Sequence, residues 1–553
     1  MSYTWDTTLP VFKYSNDSRK AYEFFYISQR KNFTNWIGKI SKNFSSDIDW
    51  WSSSVASRNT FVSKLFHNIC ILESLLKLKK EGKCPSKIIV RSHELKKLIN
   101  RHFKRNIDTQ VITENNSFIK NIYFIFFPLI YAITILIFSR IFTNKNKIKN
   151  NNNNVLIDTF ITSINLNSNR YYGQLEKKSL RHKNIYFVPT ILYAKIIKIP
   201  SIIKNLRNKK NFLLKEDFIY IKDIFHAFNY IFRKKKFNIK YISYKSLNLS
   251  DLIKEELSFY SDFQATLTSI INYRFAKNLK DKKIKIRKVV NWFENTAVDK
   301  GWNFGFRTFY PQTLSVGYQG YTLYRQFMCK HPSKAEYSYK VLPKVILTIG
   351  EVYRKIRKEF CNNLEIKVGP ALRFKDLLSY KYKNIFLYNI VVILNLDTSV
   401  SKEILENVIN TEWSKAGKKV YIKSHPLLPL SKILPKEKLP EHFIEIKGSF
   451  SHIARNSKII IGSGISSSIV ESIFYGCAVL LPLIDKNEEY NFKYLKIPKE
   501  SYKICSNKSQ LNNGINYFLN EKKLNKKNRI NKINLLKPKM FEKITEKNLN
   551  SFL

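Results

Sequence analysis

Two stretches in the C-terminal third of the chain carry residues able to hold a phosphate group. The first, Val420-Tyr421-Ile422-Lys423-Ser424-His425-Pro426, is a short apolar run that ends in Lys and His. Both side chains donate to phosphate oxygens, and Pro426 fixes the turn that aims the imidazole back at the strand end. The second runs from Ile459 through Gly462-Ser463-Gly464 to Ser466-Ser467-Ser468 and Glu471. Glycine permits the tight turn, and a helix starting at the serines presents N–H groups and hydroxyls to an anion. Glu471, near the end of that first turn, is placed to reach a sugar or ribose hydroxyl. Taken singly, such serines are helix caps and such a histidine is a hydrogen-bonded loop residue. Together, on consecutive strand-loop-helix units, they point to a ligand.

A hydroxyl reacting beside such a phosphate would also need a group to handle its proton. Glu294 follows the apolar run Arg287–Phe293 and is the first candidate for a general base or for a group that orients the acceptor hydroxyl. Asp158, at the end of Val155-Leu156-Ile157, is the second. Asn295 and Gln319, the latter beside Gly317 and Gly320, are expected on the acceptor side, hydrogen-bonding to sugar hydroxyls. A second His-Pro pair, His331-Pro332, has no clean strand before it and no serine helix behind it, and reads as structural or acceptor-side. Asp47-Ile48-Asp49 has the spacing of a metal-binding pair but no flanking strand to present it. Departure of a phosphate is therefore assigned to Lys, His and helix N–H groups, with no metal and no cofactor.

These residues need an α/β framework behind them. From residue 371 the pattern reads as strand 389–396, helix 402–416, strands 419–422 and 443–446, short helix 451–455, strand 458–461, helix 467–475 and strand 478–483. Residues 155 to 372 alternate apolar strands such as 184–189 with helical stretches. Expected units are a mostly helical N-terminal elaboration (1–85), a Rossmann-like domain (86–370) that carries Glu294 and is completed by the strand near Ile88, a second Rossmann-like domain (371–523) that carries the two phosphate-holding stretches, and a basic helical tail (524–553).

One apolar segment, within 118–142, interrupts the first of these domains. Ile122 to Ser139 is eighteen residues without a charge, about the minimum for a membrane span. A complete crossing would put the strand near Ile88 and the strand at Val155 on opposite sides of the membrane. A re-entrant or interfacial element, kinked at Pro128 and followed by a flexible Asn/Lys linker over 144–154, is expected instead. An unusually apolar core helix is the alternative.

The chain has 553 residues, 44% of them hydrophobic and 14% aromatic, which excludes a disordered class and leaves room for two large domains. Its 96 Lys and Arg against 42 Asp and Glu, a net charge of +54, favour anionic partners. The lysines are dispersed and no nucleic-acid-binding module is recognisable, so no nucleic-acid partner is expected. Six cysteines without a C-x-x-C pair read as reduced thiols. The N-terminus carries neither a basic n-region nor an apolar h-region, from which a cytoplasmic location, peripheral or monotopic at the inner membrane, is expected.

The K-x-H-P turn, the G-S-x-x-S-S-S-x-x-E helix start, and Gly476 with the apolar run to Pro482 resemble the donor domain of bacterial sialyltransferases and Kdo transferases. Trp292-Phe293-Glu294-Asn295, Val316-Gly317-Tyr318-Gln319-Gly320, Pro332-Ser333 and Val368-Gly369-Pro370-Ala371-Leu372-Arg373 resemble a group of bacterial surface-carbohydrate biosynthesis proteins. The resemblance implies a GT-B glycosyltransferase: two Rossmann-like domains facing across a cleft, 86–370 on the acceptor side and 371–523 binding the nucleotide sugar. His425, Ser467 and Ser468 would contact the phosphate of a CMP-sugar, with Lys423 and Ser466 nearby. The acceptor would be a surface polysaccharide, as in lipopolysaccharide or capsule, or a lipid-linked precursor at the cytoplasmic leaflet. Similar motifs occur in glycerophosphate polymerases, so a CDP-glycerol- or CDP-ribitol-type phosphotransferase is the rival enzyme. A basic nucleic-acid-binding protein or a noncatalytic membrane scaffold is the rival from another class.

Overall fold

In the computed structural model, the described residues are 3–103, 107–112, 117–143, 148, 153–163, 166–180, 184–192, 194–435, 438–464, 466–482, 491–550 and 552. Two parallel sheets of six strands dominate them. The first contains β4 (Val155–Ile161), β5 (Ile185–Ile191), β6 (Lys288–Trp292), β7 (Leu314–Gln319), β8 (Val345–Thr348) and β9 (Glu365–Val368). Its spatial order is β9-β8-β7-β6-β4-β5. The second contains β10 (Tyr388–Ile393), β11 (Val420–Lys423), β12 (Phe443–Glu445), β13 (Ser457–Gly462), β14 (Ala478–Leu481) and β15 (Tyr502–Ile504), in the order β12-β11-β10-β13-β14-β15. Strands covered on both faces read as continuous apolar runs, which is why Ile459-Ile460-Ile461 and Val391-Val392-Ile393 are all buried here.

Each order reverses direction once. In the second sheet the chain winds outward from β10 through β11 to β12, then returns to the other side of β10 for β13. In the first, the reversal falls between β4 and β6, which are paired. Ligands of open parallel sheets bind beyond the carboxyl ends of the strands at such points. The two sheets, with helices packed around them, form two Rossmann-like domains.

The N-terminal region differs from expectation. Lys87–Val90 (β2) pairs with Thr4–Asp6 (β1) and with Asp108–Val111 (β3) in a separate three-stranded parallel sheet, and does not complete the first large sheet. Ile88 and Val90 are buried in one core cluster with Trp5, Leu95 and Ile99, so this strand serves the N-terminal helices.

The apolar segment is a single helix, α1 (Ser117–Ile141), that continues through Pro128. It does not turn back, so the re-entrant form is corrected: a proline inside a helix costs hydrogen bonds and bends it without reversing it. Its stretch Asn121–Ile141 is long and apolar enough to cross a membrane, with a mean hydropathy of 2.3. Most of the expected linker over 144–154 lies outside the described residues.

The C-terminal helix, here α8 (Lys523–Met540), brings the chain back to the first domain. Glu542 N–H donates to the Ile349 carbonyl at 2.6 Å, and Phe552 packs edge-on to Tyr318 at 4.9 Å. Gly350 admits this return, because a Cβ there would collide with the Met540 carbonyl. Phe541 touches Phe374 of the link and Phe474 of the second domain, so one apolar cluster joins both domains.

Candidate functional site

The register of the second sheet aligns the His-Pro turn and the serine helix start. Lys423 at the end of β11 and Gly462 at the end of β13 are both partners of Ile393 on the strand between them. Two strand spacings separate β11 from β13, roughly 10 Å. The His-Pro turn and the serine helix therefore leave the sheet at one level and flank the crevice at its point of reversal.

The His-Pro turn is closed by Leu428 N–H donating to the His425 carbonyl at 2.9 Å. Leu427 N–H donates to His425 Nδ1 at 3.2 Å. A neutral imidazole that accepts at Nδ1 carries its proton on Nε2, which becomes a hydrogen-bond donor. Burial, then the positive charges of Arg170 and Lys423, hold this imidazole below its ordinary pKa. Arg170 belongs to α2 (Asn169–Tyr172), which follows β4, so its charge acts on His425 from the other domain. Ser424 is engaged with Glu445, and Pro426 is exposed at the apex.

Helix α7 (Ser467–Phe474) starts at Ser466, whose side chain makes no capping bond. Ser466, Ser467 and Ser468 are half-buried, while Gly464 is buried behind them and Ile465 lies outside the described residues. Ser467 Oγ accepts a hydrogen bond from Thr322 Oγ1 at 3.1 Å, and Thr322 is 3.0 Å from the Tyr324 hydroxyl. Thr322 and Tyr324 lie just beyond β7, so the loop of one domain holds the helix start of the other. Glu471 is buried, and burial pushes its carboxyl up to about 7, with Arg373 opposing and Asp376 adding to the shift. Arg373 and Asp376 belong to the interdomain link, so Glu471 lies behind the crevice.

On the first domain, Glu294 follows β6 at that sheet's point of reversal. Its Oε1 accepts from Trp292 Nε1 at 3.0 Å and its Oε2 lies 3.3 Å from Lys330 Nζ. Burial pushes the carboxyl up, but Lys330, the Trp292 hydrogen bond and Arg357 outweigh it and hold the pKa below its ordinary value. Glu294 keeps part of its side chain exposed and is ionised at neutral pH.

Three other expectations are corrected. Asp158 is not at a strand end: β4 continues to Ile161, and Asp158 is buried within the sheet, where burial pushes it up to about 7 against the charge of Lys215. Asn295 adopts a left-handed conformation (φ 59°), which Asn tolerates. Its amide points inward, donating to the Cys329 carbonyl at 2.8 Å. Gln319 is fully buried, with Nε2 donating to the Tyr321 carbonyl and Oε1 accepting from Arg357 Nε, both at 2.9 Å. Neither amide faces a ligand.

His331 is buried as a structural residue, its Nδ1 3.1 Å from Glu359. Glu359 also binds Arg30 and Arg325 at 3.0 Å and Tyr494 at 3.3 Å. This joins the N-terminal region, the first domain and the second. Asp47 caps a short helix and Asp49 pairs with Arg233 at 2.6 Å, so that pair is committed to structure. Among the described residues no three His, Cys, Asp or Glu side chains form a metal-binding group.

Arg170, Thr322, Tyr324 and Arg373 were not legible as site residues. Arg170 stands in an unremarkable Asn-rich stretch, the only signal for Thr322 and Tyr324 was polar residues in an aromatic loop after β7, and Arg373 closes the Val368-to-Arg373 run without a role of its own.

No protein-family model matches the sequence, and no curated protein is significantly similar to it. Among solved structures, a putative UDP-N-acetylglucosamine 2-epimerase from Listeria monocytogenes is similar at 12% identity, over 68% of this chain and 90% of that one, with a TM-score of 0.39. The glycotransferase of kitacinnamycin matches at 9% identity over 72% and 97%, TM-score 0.41. Acinetobacter baumannii MurG matches at 11% identity over 69% and 99%, TM-score 0.35. Likenesses at this level decide nothing about substrate or reaction.

Proposed function

We propose that this protein is a glycosyltransferase that moves a sugar from a nucleotide donor, CMP-linked, onto a hydroxyl of a surface glycan or its lipid-linked precursor. The observation that carries the reading is the shared level of the His425 turn and the Ser467 helix start on either side of β10, opposite Arg170 and Thr322 of the other domain. The crevice presents donors: His425 Nε2, Lys423, the serine hydroxyls and the N–H groups of a helix start, whose dipole favours an anion. The buried Gly464 belongs to the same turn.

In the reaction the acceptor oxygen forms a bond to the anomeric carbon while the bond from that carbon to the phosphate oxygen breaks. The leaving phosphate takes the electron pair, and His425, Lys423 and Ser466 to Ser468 stabilise its charge without a metal ion. Glu294, ionised and held by Trp292 and Lys330, orients the acceptor hydroxyl and receives its proton.

Calorimetric binding of CMP, CDP and UDP to wild type, His425→Ala and Ser467→Ala tests the reading. CMP binding that both variants weaken supports it; absence of nucleotide binding removes its main support. Exclusive turnover of CDP-glycerol would move the protein to phosphotransfer.

A further inference from the structure

Helix α1 has two unlike sides. One packs Tyr131, Ile135 and Leu136 into the protein core, and the other exposes Ile122, Phe126, Ile130 and Ile137. Two neighbouring elements extend that exposed side. Along one edge runs α4 (Ile221–Phe228): Arg140 donates to the Ile219 carbonyl at 3.0 Å near one end, and Phe126 lies 5.8 Å from the Phe228 ring near the other. The helix α4 runs antiparallel to α1 and exposes Ile221 and Phe225. Along the opposite edge lies α3 (Ile199–Arg207), tied by Arg207 donating to the Ser139 carbonyl at 2.7 Å. Ile197, just before α3, is 81% exposed.

Exposed large apolar side chains gathered on three neighbouring elements mark an interaction surface. The charges around it share one sign. Lys195 and Lys198 flank Ile196-Ile197, Lys222 follows Ile221, and all three are exposed. The acids of residues 117–143 and 194–236 are turned away: Asp217 pairs with Arg207 at 2.6 Å, Asp223 pairs with Arg274 at 2.6 Å, and Glu216 is half-buried. An apolar face with a cationic rim matches the interface of an anionic bilayer, where aliphatic and aromatic side chains enter the acyl boundary and lysines meet phosphates.

We propose that this three-element face seats the protein in one leaflet of a membrane containing anionic lipid, with α1 lying in the membrane plane. A crossing is incompatible with the packing, because from Pro128 to Ser139 the inner side of α1 is buried, and the helix packs on α3, α4 and α5 (Phe263–Asp281). The proposal does not depend on the transferase reading, since it concerns lipid binding alone.

The test is flotation of the full chain with vesicles of phosphatidylcholine, alone or with about 30 mol% phosphatidylglycerol. Wild type is expected to float with the anionic vesicles. Ile130→Asp, Phe225→Asp and Ile197→Asp, each on a different element, are expected to lower partitioning by about tenfold apiece. Lys198→Glu with Lys222→Glu should abolish the preference for anionic vesicles. Because the three apolar sites are on the surface, circular dichroism melting should show folded variants, and any one that folds suffices. Wild type remaining in the lipid-free fraction overturns the proposal. So does an equal loss from Leu535→Asp, an exposed apolar change on α8. A lipid-free dimer that Ile130→Asp dissociates would assign the face to a second copy and overturn it as well.

Discussion

Thr322 of the first domain donates its hydroxyl proton to Ser467 Oγ of the second across 3.1 Å. Ser467 thereby accepts a hydrogen bond from the other domain. The pair orients the helix start that the transferase reading assigns to phosphate, and it links the two domains at the crevice. Replacing Thr322 by Val keeps the shape and removes the donor. Nucleotide affinity is expected to fall by about three- to tenfold, the worth of one neutral hydrogen bond near 1 kcal/mol, as read by calorimetry. An unchanged affinity would make the contact a packing coincidence.

His425→Ala removes the Nε2 donor aimed out of its turn. Hydrogen bonds to charged groups contribute about 1.5–3 kcal/mol, so CMP binding should weaken by roughly ten- to a hundredfold. Thermal stability should change little, since the imidazole is only partly buried.

Glu294→Gln preserves an oxygen that can accept from Trp292 Nε1 and removes the negative charge. Turnover is expected to fall by about 10²- to 10⁴-fold, the usual contribution of acid–base catalysis. Nucleotide affinity should stay at the wild-type value, because Glu294 belongs to the opposite domain. Equal losses in both would point to misfolding.

Glu471 gives a pH signature. Its folded carboxyl titrates near 7 and its ordinary value is 4.5. Between those values the folded chain holds the extra proton, so the contribution of Glu471 to stability declines as pH rises from 4.5 through 7. A shift of this size corresponds to about 3 kcal/mol at most. Glu471→Gln should therefore melt several degrees higher than wild type at pH 8 and no higher at pH 5.

Gln319→Leu should act on stability. It strips the acceptor from buried Arg357, whose Nε donates to Gln319 Oε1. Leaving a buried charged donor short of a partner costs about 2–3 kcal/mol, read as a lower melting temperature. Nucleotide affinity of the folded protein should be unchanged.

The second sheet was legible along the chain because buried parallel strands are contiguous apolar runs, and Gly, Pro and Ser mark their ends. Strands expected at 419–422, 443–446 and 458–461 appear at 420–423, 443–445 and 457–462. The expected strand reaching 483 is described as far as Leu481. The helix expected over 402–416 is divided into Thr398–Ile409 and Glu412–Lys415, because Thr411 caps a new start. A cap depends on one side-chain hydrogen bond, which apolar periodicity does not record.

What the sequence determined by itself was local: the strand runs, the Lys423-to-Pro426 turn, the serine helix start and the apolar length of α1. These follow from side-chain period and backbone preference over a few residues. Tertiary structure alone decided that β2 serves a separate sheet, that Asn295 and Gln319 face inward, and that Asp158 is sealed within its strand. It also decided that the charge of Arg170 acts on His425 and that Thr322 meets Ser467, pairs separated by 255 and 145 residues. Such pairings depend on sheet order and on how two domains close, and both are settled by packing between segments remote in the chain.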